Sequence, residues 1–166
     1  MISDTHFGHT NICGFVRQDG TPLRPWRTIE EMDEALIENW NAVVAPGDKV
    51  YHLGDVAIPR KGLKCLASLN GTKILIRGNH DIFKLTDYTE YFKDVRGCHY
   101  LDKLVLTHIP VHPDNLARWK GNVHGHLHAR RILLPDGTVD ARYECVCVEH
   151  TNFAPIDFEL VKSRFD

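Results

Sequence analysis

The stretch KVYHLGDVAIPRKGLKCLASLNGTKILIR, residues 49–77, decides the fold class of this chain. Its two ends are short apolar runs, KVYHL at 49–53 and KILIR at 73–77, each about as long as a buried strand. Between them, RKGLKCLASLN at 60–70 is a candidate helix. A strand, a helix and a second strand in this order are typical of parallel strands joined by a crossover, so the sequence predicts an α/β protein.

The flanking segments extend this pattern. TIEEMDEALIENWNAVV at 28–44 spaces apolar residues three and four positions apart, and Thr28 with Glu31 fits a capping box. These features predict a helix that ends before Pro46-Gly47. Beyond about residue 94 the helical periodicity fades, KLVLT at 103–107 is a strand candidate, and ILLPDGTVDARYECVCVE at 132–149 indicates strands around a Pro-Asp-Gly turn. The second half is therefore predicted to be rich in β-structure.

Length and composition limit the classes of protein that this chain can belong to. Its 166 residues are 43% hydrophobic and 25% charged, which suits a single domain over 1–166. No apolar run approaches the ~20 residues that span a bilayer, and the start lacks a signal peptide's apolar region, so we expect a cytoplasmic protein with no membrane partner. Five cysteines without a C-x-x-C spacing are typical of reduced thiols. A net charge of −2 offers no basic surface for long nucleic acid.

Eleven histidines are the unusual feature of the composition, and three of them fall in GNVHGHLHARR, residues 121–131. His124, His126 and His128 alternate, so in an extended segment their side chains would share one face, with neighbours ~7 Å apart. Two such imidazoles could each bind one ion of a closely spaced metal pair, ~3.5–4 Å apart. A histidine-rich edge strand without any ligand is the alternative, and this segment alone leaves both open.

Polar side chains follow the apolar runs in five separate segments. In open α/β sheets the loops at the carboxyl ends of the strands form the ligand crevice. We therefore expect seven side chains to meet at one edge: Asp4, His6, Asp55, Asn79, His108, His126 and His128.

This set of side chains indicates a site for two metal ions. It offers carboxylate and amide oxygens and imidazole nitrogens but no thiolate. Such a set suits Mn, Fe, Co, Ni or Zn, and it differs from the cysteine ligands of a structural zinc site. Seven donors are too many for one four-coordinate ion and fit two ions that share a carboxylate. Two such ions with two aspartates and a bridging hydroxide leave a charge of roughly +1, which attracts phosphate, and a metal pair can clamp an in-line phosphoryl displacement.

The motifs that carry these residues resemble those of the calcineurin-like metallophosphoesterases. In chain order they are D-x-H (4–6), G-D (54–55), G-N-H-D (78–81), a lone histidine (108) and G-H-x-H (125–128). The fuller strings SDTHFGHTNI, EEMDEALIENWNAVV and YHLGD resemble the small single-domain members from bacteria and phages. The resemblance implies a four-layer α/β/β/α sandwich, in which two mixed sheets are flanked by helices.

The resemblance also implies a role for each metal ligand. The first ion would be bound by Asp4, His6 and His128, the second by Asn79, His108 and His126, and Asp55 would bridge the two. One departure from the family pattern is that only three residues precede Asp4. We therefore expect either a frayed terminus with a weaker first metal site or a natural start that lies upstream.

Two residues next to the ligands have catalytic roles by the same resemblance. His80 corresponds to the family's catalytic histidine, which protonates the leaving-group oxygen or stabilises its developing charge. Asp81 would hydrogen-bond that imidazole and raise its basicity. His124 matches no ligand position and is interpreted as structural.

Five further residues are candidates for contact with substrate. His9 and Asn11 could touch phosphate or could simply cap the next turn. Arg60 and Arg77 could grip phosphate in a bidentate manner, although a salt bridge elsewhere is the favoured alternative for each. Trp26, in the loop GTPLRPW, could stack a nucleobase or pack against the following helix.

These features together predict a phosphodiesterase that uses two divalent ions per chain, with Mn favoured, and a metal-bridging hydroxide as nucleophile. The expected partner is a small phosphoester of nucleotide-like structure, with cyclic nucleotides among the candidates. A phosphomonoesterase that acts on nucleotides or proteins is the alternative, and a binding scaffold without turnover is a third. The sequence makes no prediction about the oligomeric state.

Overall fold

Seven strands form two sheets in the computed structural model, which describes residues 1–166. The first sheet is parallel and has the order β1 (Lys49–His52), β2 (Thr72–Ile76), β3 (Asp94–Arg96). The second has the order β4 (His99–Leu101), β5 (Leu104–Leu106), β6 (Gly121–His124), β7 (Tyr143–Cys145), and only the pair β4–β5 is antiparallel. The protein is thus α/β, and the predicted parallel pairing of β1 with β2 is confirmed.

Three α-helices accompany the sheets: α1 (Ile29–Val43), α2 (Leu85–Thr89) and α3 (Phe158–Lys162). Helix α1 begins as predicted, because Thr28 and Glu31 form the reciprocal hydrogen bonds of a capping box. The candidate helix at 60–70 is instead a 3₁₀ helix, Arg60–Ser68. Gly62, which disfavours a regular α-helix, lies close against the backbone of Phe7 at this point. None of the helices combines the length and the apolar character needed to cross a bilayer.

The two sheets pack face to face, and α1 covers the outer face of the first. Successive side chains of a strand point to opposite faces of the sheet. On β2, Leu75 accordingly packs in the cluster that contains the buried face of α1. Ile74 and Ile76 pack in a second cluster with Leu104 and Leu106 of β5. The core therefore has one layer between helix and sheet and another between the sheets.

The first residues of the chain pair with a strand of the first sheet on one side and with the segment after β7 on the other. Ile2 forms a parallel bridge with His52 of β1, and Ser3 forms one with Cys147, just after β7. Met1 is only 6% exposed and Asp4 is completely buried. The expected frayed terminus at Asp4 was wrong, because pairing on both sides fixes even this very short extended segment.

The strand that contains His124 ends at that residue. His126 and His128 have φ angles of 70° and 51°, in the left-handed region, so the chain turns directly after β6. The segment is therefore not extended throughout, and its three imidazoles do not share the single face that an extended segment would give them. Around the Pro-Asp-Gly turn, likewise, only an isolated antiparallel bridge between Leu133 and Val139 precedes β7.

Candidate metal centre

Two groups of side chains that could each hold a metal ion lie where the strands end. The groups are Asp4, His6 and His128, and Asp55, His108 and His126. Within each group the candidate ligand atoms all lie within 4.8 Å of one another. The loops after the Ile2–Ser3 segment, β1, β5 and β6 supply these residues, which is the meeting at one edge that the sequence predicted.

Asp4 anchors the first group. Its Oδ1 atom lies 3.6 Å from Nε2 of His6 and 3.8 Å from Nε2 of His128. Its other oxygen, Oδ2, accepts hydrogen bonds from Ser3 Oγ at 2.6 Å and from the backbone N–H of His126 at 2.9 Å. Asp4 Oδ1 and both ring nitrogens of His6 are buried without a hydrogen-bond partner. Since buried polar atoms are normally paired, these atoms leave a place suited to a cation.

Asn79 completes the second group. Its Oδ1 atom lies 2.9 Å from Nε2 of His108 and 2.9 Å from Nδ1 of His126. On the far side of the His108 ring, Nδ1 lies 2.7 Å from the carbonyl oxygen of Leu53, which can only accept. A neutral His108 therefore keeps its proton on Nδ1 and presents the lone pair of Nε2 to the site.

Asp55 belongs to the second group and also lies close to the first. Its Oδ2 atom is 3.7 Å from Nε2 of His6 and 3.3 Å from Nε2 of His108. The other oxygen, Oδ1, accepts a hydrogen bond from the backbone N–H of His80 at 2.9 Å. One carboxylate oxygen near a donor of each group has the position required of a bridging ligand.

Most of the candidate ligands have a left-handed backbone conformation. The φ angles of Asp4, His6, Asp55, His126 and His128 all lie between 51° and 70°. Such angles are uncommon for residues with a β-carbon, cost free energy and cluster at functional sites. Strained turns therefore occur at the positions where the donors are needed.

Glycines allow the backbone to approach the two carboxylates. A β-carbon on Gly78 would lie 2.2 Å from Asp55 Oδ1, and one on Gly125 would lie 2.5 Å from Asp4 Oδ2. Neither position tolerates a side chain without displacing a candidate ligand. These close contacts explain why glycine occupies the first position of G-N-H-D and of G-H-x-H.

The charges of the cluster fit divalent cations. Burial opposes the ionisation of Asp4, but the imidazoles of His6, His108 and His128 lower its pKa. Burial likewise opposes the protonation of His108, but its contact with Asp55 and the charges of both aspartates raise the pKa of His108 to about 9. In the metal-free protein, the extra proton on His108 therefore balances negative charge of the two aspartates, which a bound cation would otherwise balance. Imidazole, carboxylate and amide donors suit Mn, Fe, Co, Ni or Zn.

His80 lies beside both groups but belongs to neither. Its side chain is exposed, and the centroid of its ring is 5.8 Å from that of His6. Asp81 does not hydrogen-bond this ring. It is buried, and its carboxylate accepts from the backbone N–H groups of Asp55, Gly78 and Val56 at 2.8, 2.8 and 3.0 Å. The predicted contact between Asp81 and the His80 imidazole was wrong, because Asp81 instead ties the loop after β1 to the loop after β2.

His9 is a candidate substrate contact that lies next to the first donor group. Its half-buried ring is 5.5 Å from the ring of His6, and its Nδ1 atom is buried without a partner. Asn11 is exposed in the 3₁₀ helix Thr10–Gly14 that follows. Both therefore occupy the segment next to the first donor group.

The other three candidates are engaged elsewhere. Arg60 pairs with Asp87, and Arg77 donates hydrogen bonds to the backbone oxygens of Asp81 and Phe83 at 2.7 and 3.1 Å. Trp26 packs edge-on against Phe153 with a centroid distance of 4.7 Å. These contacts favour structural roles over phosphate binding and base stacking.

Sequence reasoning missed a buried ion pair at the site. Oε1 of Glu149 lies 3.0 Å from Nε of Arg24 and 3.1 Å from Nδ1 of His128. Arg24 and Glu149 lie 125 positions apart in the sequence and belong to none of the recognised motifs, so their spacing gave no signal. The one hint was an arginine inside the Pro-rich loop at 20–26.

The chain belongs to a family that includes the uncharacterized protein MJ1445 of Methanocaldococcus jannaschii. The two sequences are 36% identical over an alignment that covers 97% of this chain and 87% of that protein. The crystal structure of AQ665, a protein of unknown function from Aquifex aeolicus, is similar with a TM-score of 0.65 and 26% identity. That similarity covers 98% of this chain and 96% of the Aquifex chain. No protein-family model matches the sequence.

Proposed function

We propose that this protein is a dinuclear metal-dependent phosphoesterase with the calcineurin-like fold. The observation that carries the proposal is the pair of donor groups with Asp55 between them and the exposed imidazole of His80 alongside. The two stacked sheets, one covered by α1, are compatible with the four-layer sandwich of that superfamily.

Seven side chains would hold the two ions. The first ion would be bound by Asp4, His6 and His128, the second by Asn79, His108 and His126, with Asp55 shared. Mn is the favoured metal, with Fe, Co, Ni or Zn as alternatives, because Mg prefers a set of oxygen ligands only. When bound, such a pair neutralises phosphate charge and lowers the pKa of a coordinated water.

His80 would supply the proton to the leaving group. Its backbone N–H is fixed on Asp55 Oδ1, which keeps the residue beside the donors. Its imidazole makes no hydrogen bond to Asp81 and is open to solvent, so it can turn towards an ester oxygen and regain a proton after each turnover. A positioned general acid of this kind typically contributes ~10²–10⁴-fold to the rate.

Exposed apolar side chains near the donors favour a substrate that carries organic groups. Phe15 is 45% exposed and contacts His9 edge-on. Ile82 and Ile109, each directly after a residue of the site, are 75% and 53% exposed. A small phosphodiester carries two organic groups that exposed apolar side chains of this kind can contact, so a nucleotide-like diester, with cyclic nucleotides among the candidates, is the proposed substrate. Phosphomonoester hydrolysis on nucleotides or proteins is the second candidate, since the same metal pair serves both reactions.

A screen of metals against substrates tests this proposal. Chelator-treated protein would be assayed with bis(p-nitrophenyl) phosphate, p-nitrophenyl phosphate and cyclic nucleotides, after addition of Mn, Co, Ni, Zn or Mg. We expect no hydrolysis before metal is added, and better recovery with Mn, Co or Ni than with Mg. Diester hydrolysis above monoester hydrolysis would support the phosphodiesterase, and the opposite order would favour the phosphatase. Absence of hydrolysis with every metal would support a scaffold.

A further inference from the structure

Arg24 and Glu149 form an ion pair that is completely buried next to the first donor group. Neither side chain is exposed to solvent, and Arg24 Nε donates to Glu149 Oε1 at 3.0 Å. Removing two charges from water is costly, and apolar side chains of similar size often stabilise a fold equally well. A buried pair at this place is therefore better explained by what it positions than by its contribution to stability.

The pair contacts both segments that supply the first donor group. Glu149 Oε1 also lies 3.1 Å from Nδ1 of His128, which follows β6. Arg24 donates through Nη1 to the carbonyl oxygen of Thr5 at 2.8 Å and through Nη2 to the carbonyl oxygen of Asp4 at 2.5 Å. One ion pair thus ties His128 to the strained Asp4–His6 turn.

These contacts determine which atoms the first group presents. The Glu149 carboxylate accepts the proton of His128 Nδ1, so Nε2, which lies 3.8 Å from Asp4 Oδ1, carries the lone pair that a metal ion would bind. The guanidinium holds the carbonyl groups of Asp4 and Thr5, whose segment has left-handed φ angles of 60° at Asp4 and 51° at His6. In the second group His108 uses the Leu53 carbonyl for the same purpose, so that group does not depend on Glu149.

We infer that Glu149, held by Arg24, is a positioning residue for the first metal ion. This inference rests on the proposed dinuclear function. Glu149 acts through His128 and does not itself contact the ion. Loss of its charge should weaken the first metal site selectively, since partners behind a histidine ligand typically contribute ~10–100-fold to metal affinity.

Calorimetric titration of Mn²⁺ into chelator-treated protein tests the inference without any measurement of activity. The first site is identified as the one that weakens in His128→Ala. In Glu149→Gln we expect first-site affinity to fall by ~10–100-fold, with second-site affinity within about threefold of the original protein. The matched control is Glu144→Gln, which removes the charge of another buried glutamate, one that pairs with the partly exposed Arg131 and Arg164 and with none of the candidate ligands. This control should bind both ions normally.

The conservative variant and a double variant separate positioning from stability. Glu149→Asp, which keeps the charge, should recover part of the first-site affinity, and adding Glu149→Gln to His128→Ala should cause no further loss. Unchanged first-site affinity in Glu149→Gln, or equal weakening of both sites, would overturn the inference. If Glu149→Gln does not fold, equal weakening of both sites in Glu149→Asp has the same consequence. An original protein that binds none of Mn²⁺, Co²⁺, Ni²⁺ and Zn²⁺ would instead refute the proposed function.

Discussion

Four consecutive residues after β2 have four different tasks at the candidate centre. Gly78 lets the backbone approach Asp55, Asn79 offers its oxygen to the second donor group, His80 exposes an imidazole, and Asp81 joins two loops through backbone N–H groups. Mutation can therefore separate the roles proposed for neighbouring residues: metal ligand for Asn79, general acid for His80 and support of the loops for Asp81.

His80→Asn should retain both metal ions and the fold, because the backbone N–H bonded to Asp55 remains. Turnover should fall by roughly 10²–10⁴-fold for esters with alkoxide-like leaving groups, which need a proton. The loss should be much smaller for p-nitrophenolate, which leaves readily without one. Rates on both leaving groups and metal content by elemental analysis check this. A variant that loses metal would show that His80 is a ligand. A variant that is as active as the original protein on both esters would show that His80 is only a turn residue.

His52 predicts how the stability of the metal-free protein depends on pH. It is buried, its Nδ1 accepts from the backbone N–H of Gly54 at 3.2 Å, and its Nε2 lies 3.0 Å from Thr5 Oγ1, which itself donates to the Val56 carbonyl. A neutral ring with its proton on Nε2 satisfies all three contacts. Burial lowers the pKa of His52 to about 3, so below pH ~6.5 the unfolded chain binds a proton that the folded chain does not.

The free energy of unfolding should therefore fall by about 2 kcal/mol from this residue between pH 7.5 and pH 5. The effect is absent above pH ~6.5 and grows until the pH approaches the folded-state pKa. Urea unfolding of chelator-treated protein at the two pH values measures it, with His52→Gln as the variant that cannot titrate. An equal loss of stability in both proteins would show that His52 is not the cause.

Loops, rather than strands, determine the geometry of the centre at the scale of the elements. The strands end at a common edge, and each donor-bearing loop except the one after β5 contains a left-handed residue or a glycine beside its donor. Close approach between the loops after β1 and β2 is most demanding at Gly78, where a β-carbon would meet Asp55 Oδ1.

Gly78→Ala should displace Asp55 and weaken both metal sites at once, because in the proposed centre the two ions share Asp55. The matched control is Gly97→Ala after β3, where an added β-carbon meets nothing within 4 Å. Metal content after dialysis against limiting Mn²⁺ distinguishes the two variants. Normal loading of Gly78→Ala would contradict the role of this close approach.

The sequence could predict those features of the helices and strands that depend on neighbouring residues. The capping box at Thr28 and Glu31 and the apolar runs of β1 and β2 depend on neighbouring residues, and both were correctly located. The turn after His124 depends on left-handed φ angles at His126 and His128, which the residue types at these positions do not indicate. The alternation of histidines therefore suggested a longer strand than the one present.

At the scale of the whole molecule, two sheets and the Ile2–Ser3 segment bring distant residues to one place. The meeting of the seven donors was predictable, because polar residues followed each apolar run at the same end. The Arg24–Glu149 pair was not, since it depends on long-range packing between a loop and the segment after β7. The Asp81 error has the same origin, because its partners are backbone groups whose positions only the fold defines.

Sharing of Asp55 predicts unequal effects of two ligand variants. Asp55→Ala should lose both ions, whereas His128→Ala should weaken chiefly the first site, because His128 lies within only one donor group. Elemental analysis and Mn²⁺ titration measure both. Two tightly held ions in Asp55→Ala would exclude a bridging role.

The most direct test of the dinuclear phosphodiesterase is a titration in which Mn²⁺ is added to chelator-treated protein while hydrolysis of bis(p-nitrophenyl) phosphate is followed. We expect no hydrolysis without metal and a rate that rises until two Mn²⁺ are bound per chain and then stays constant. Full activity in excess chelator, or a maximal rate at one bound ion, would contradict the account.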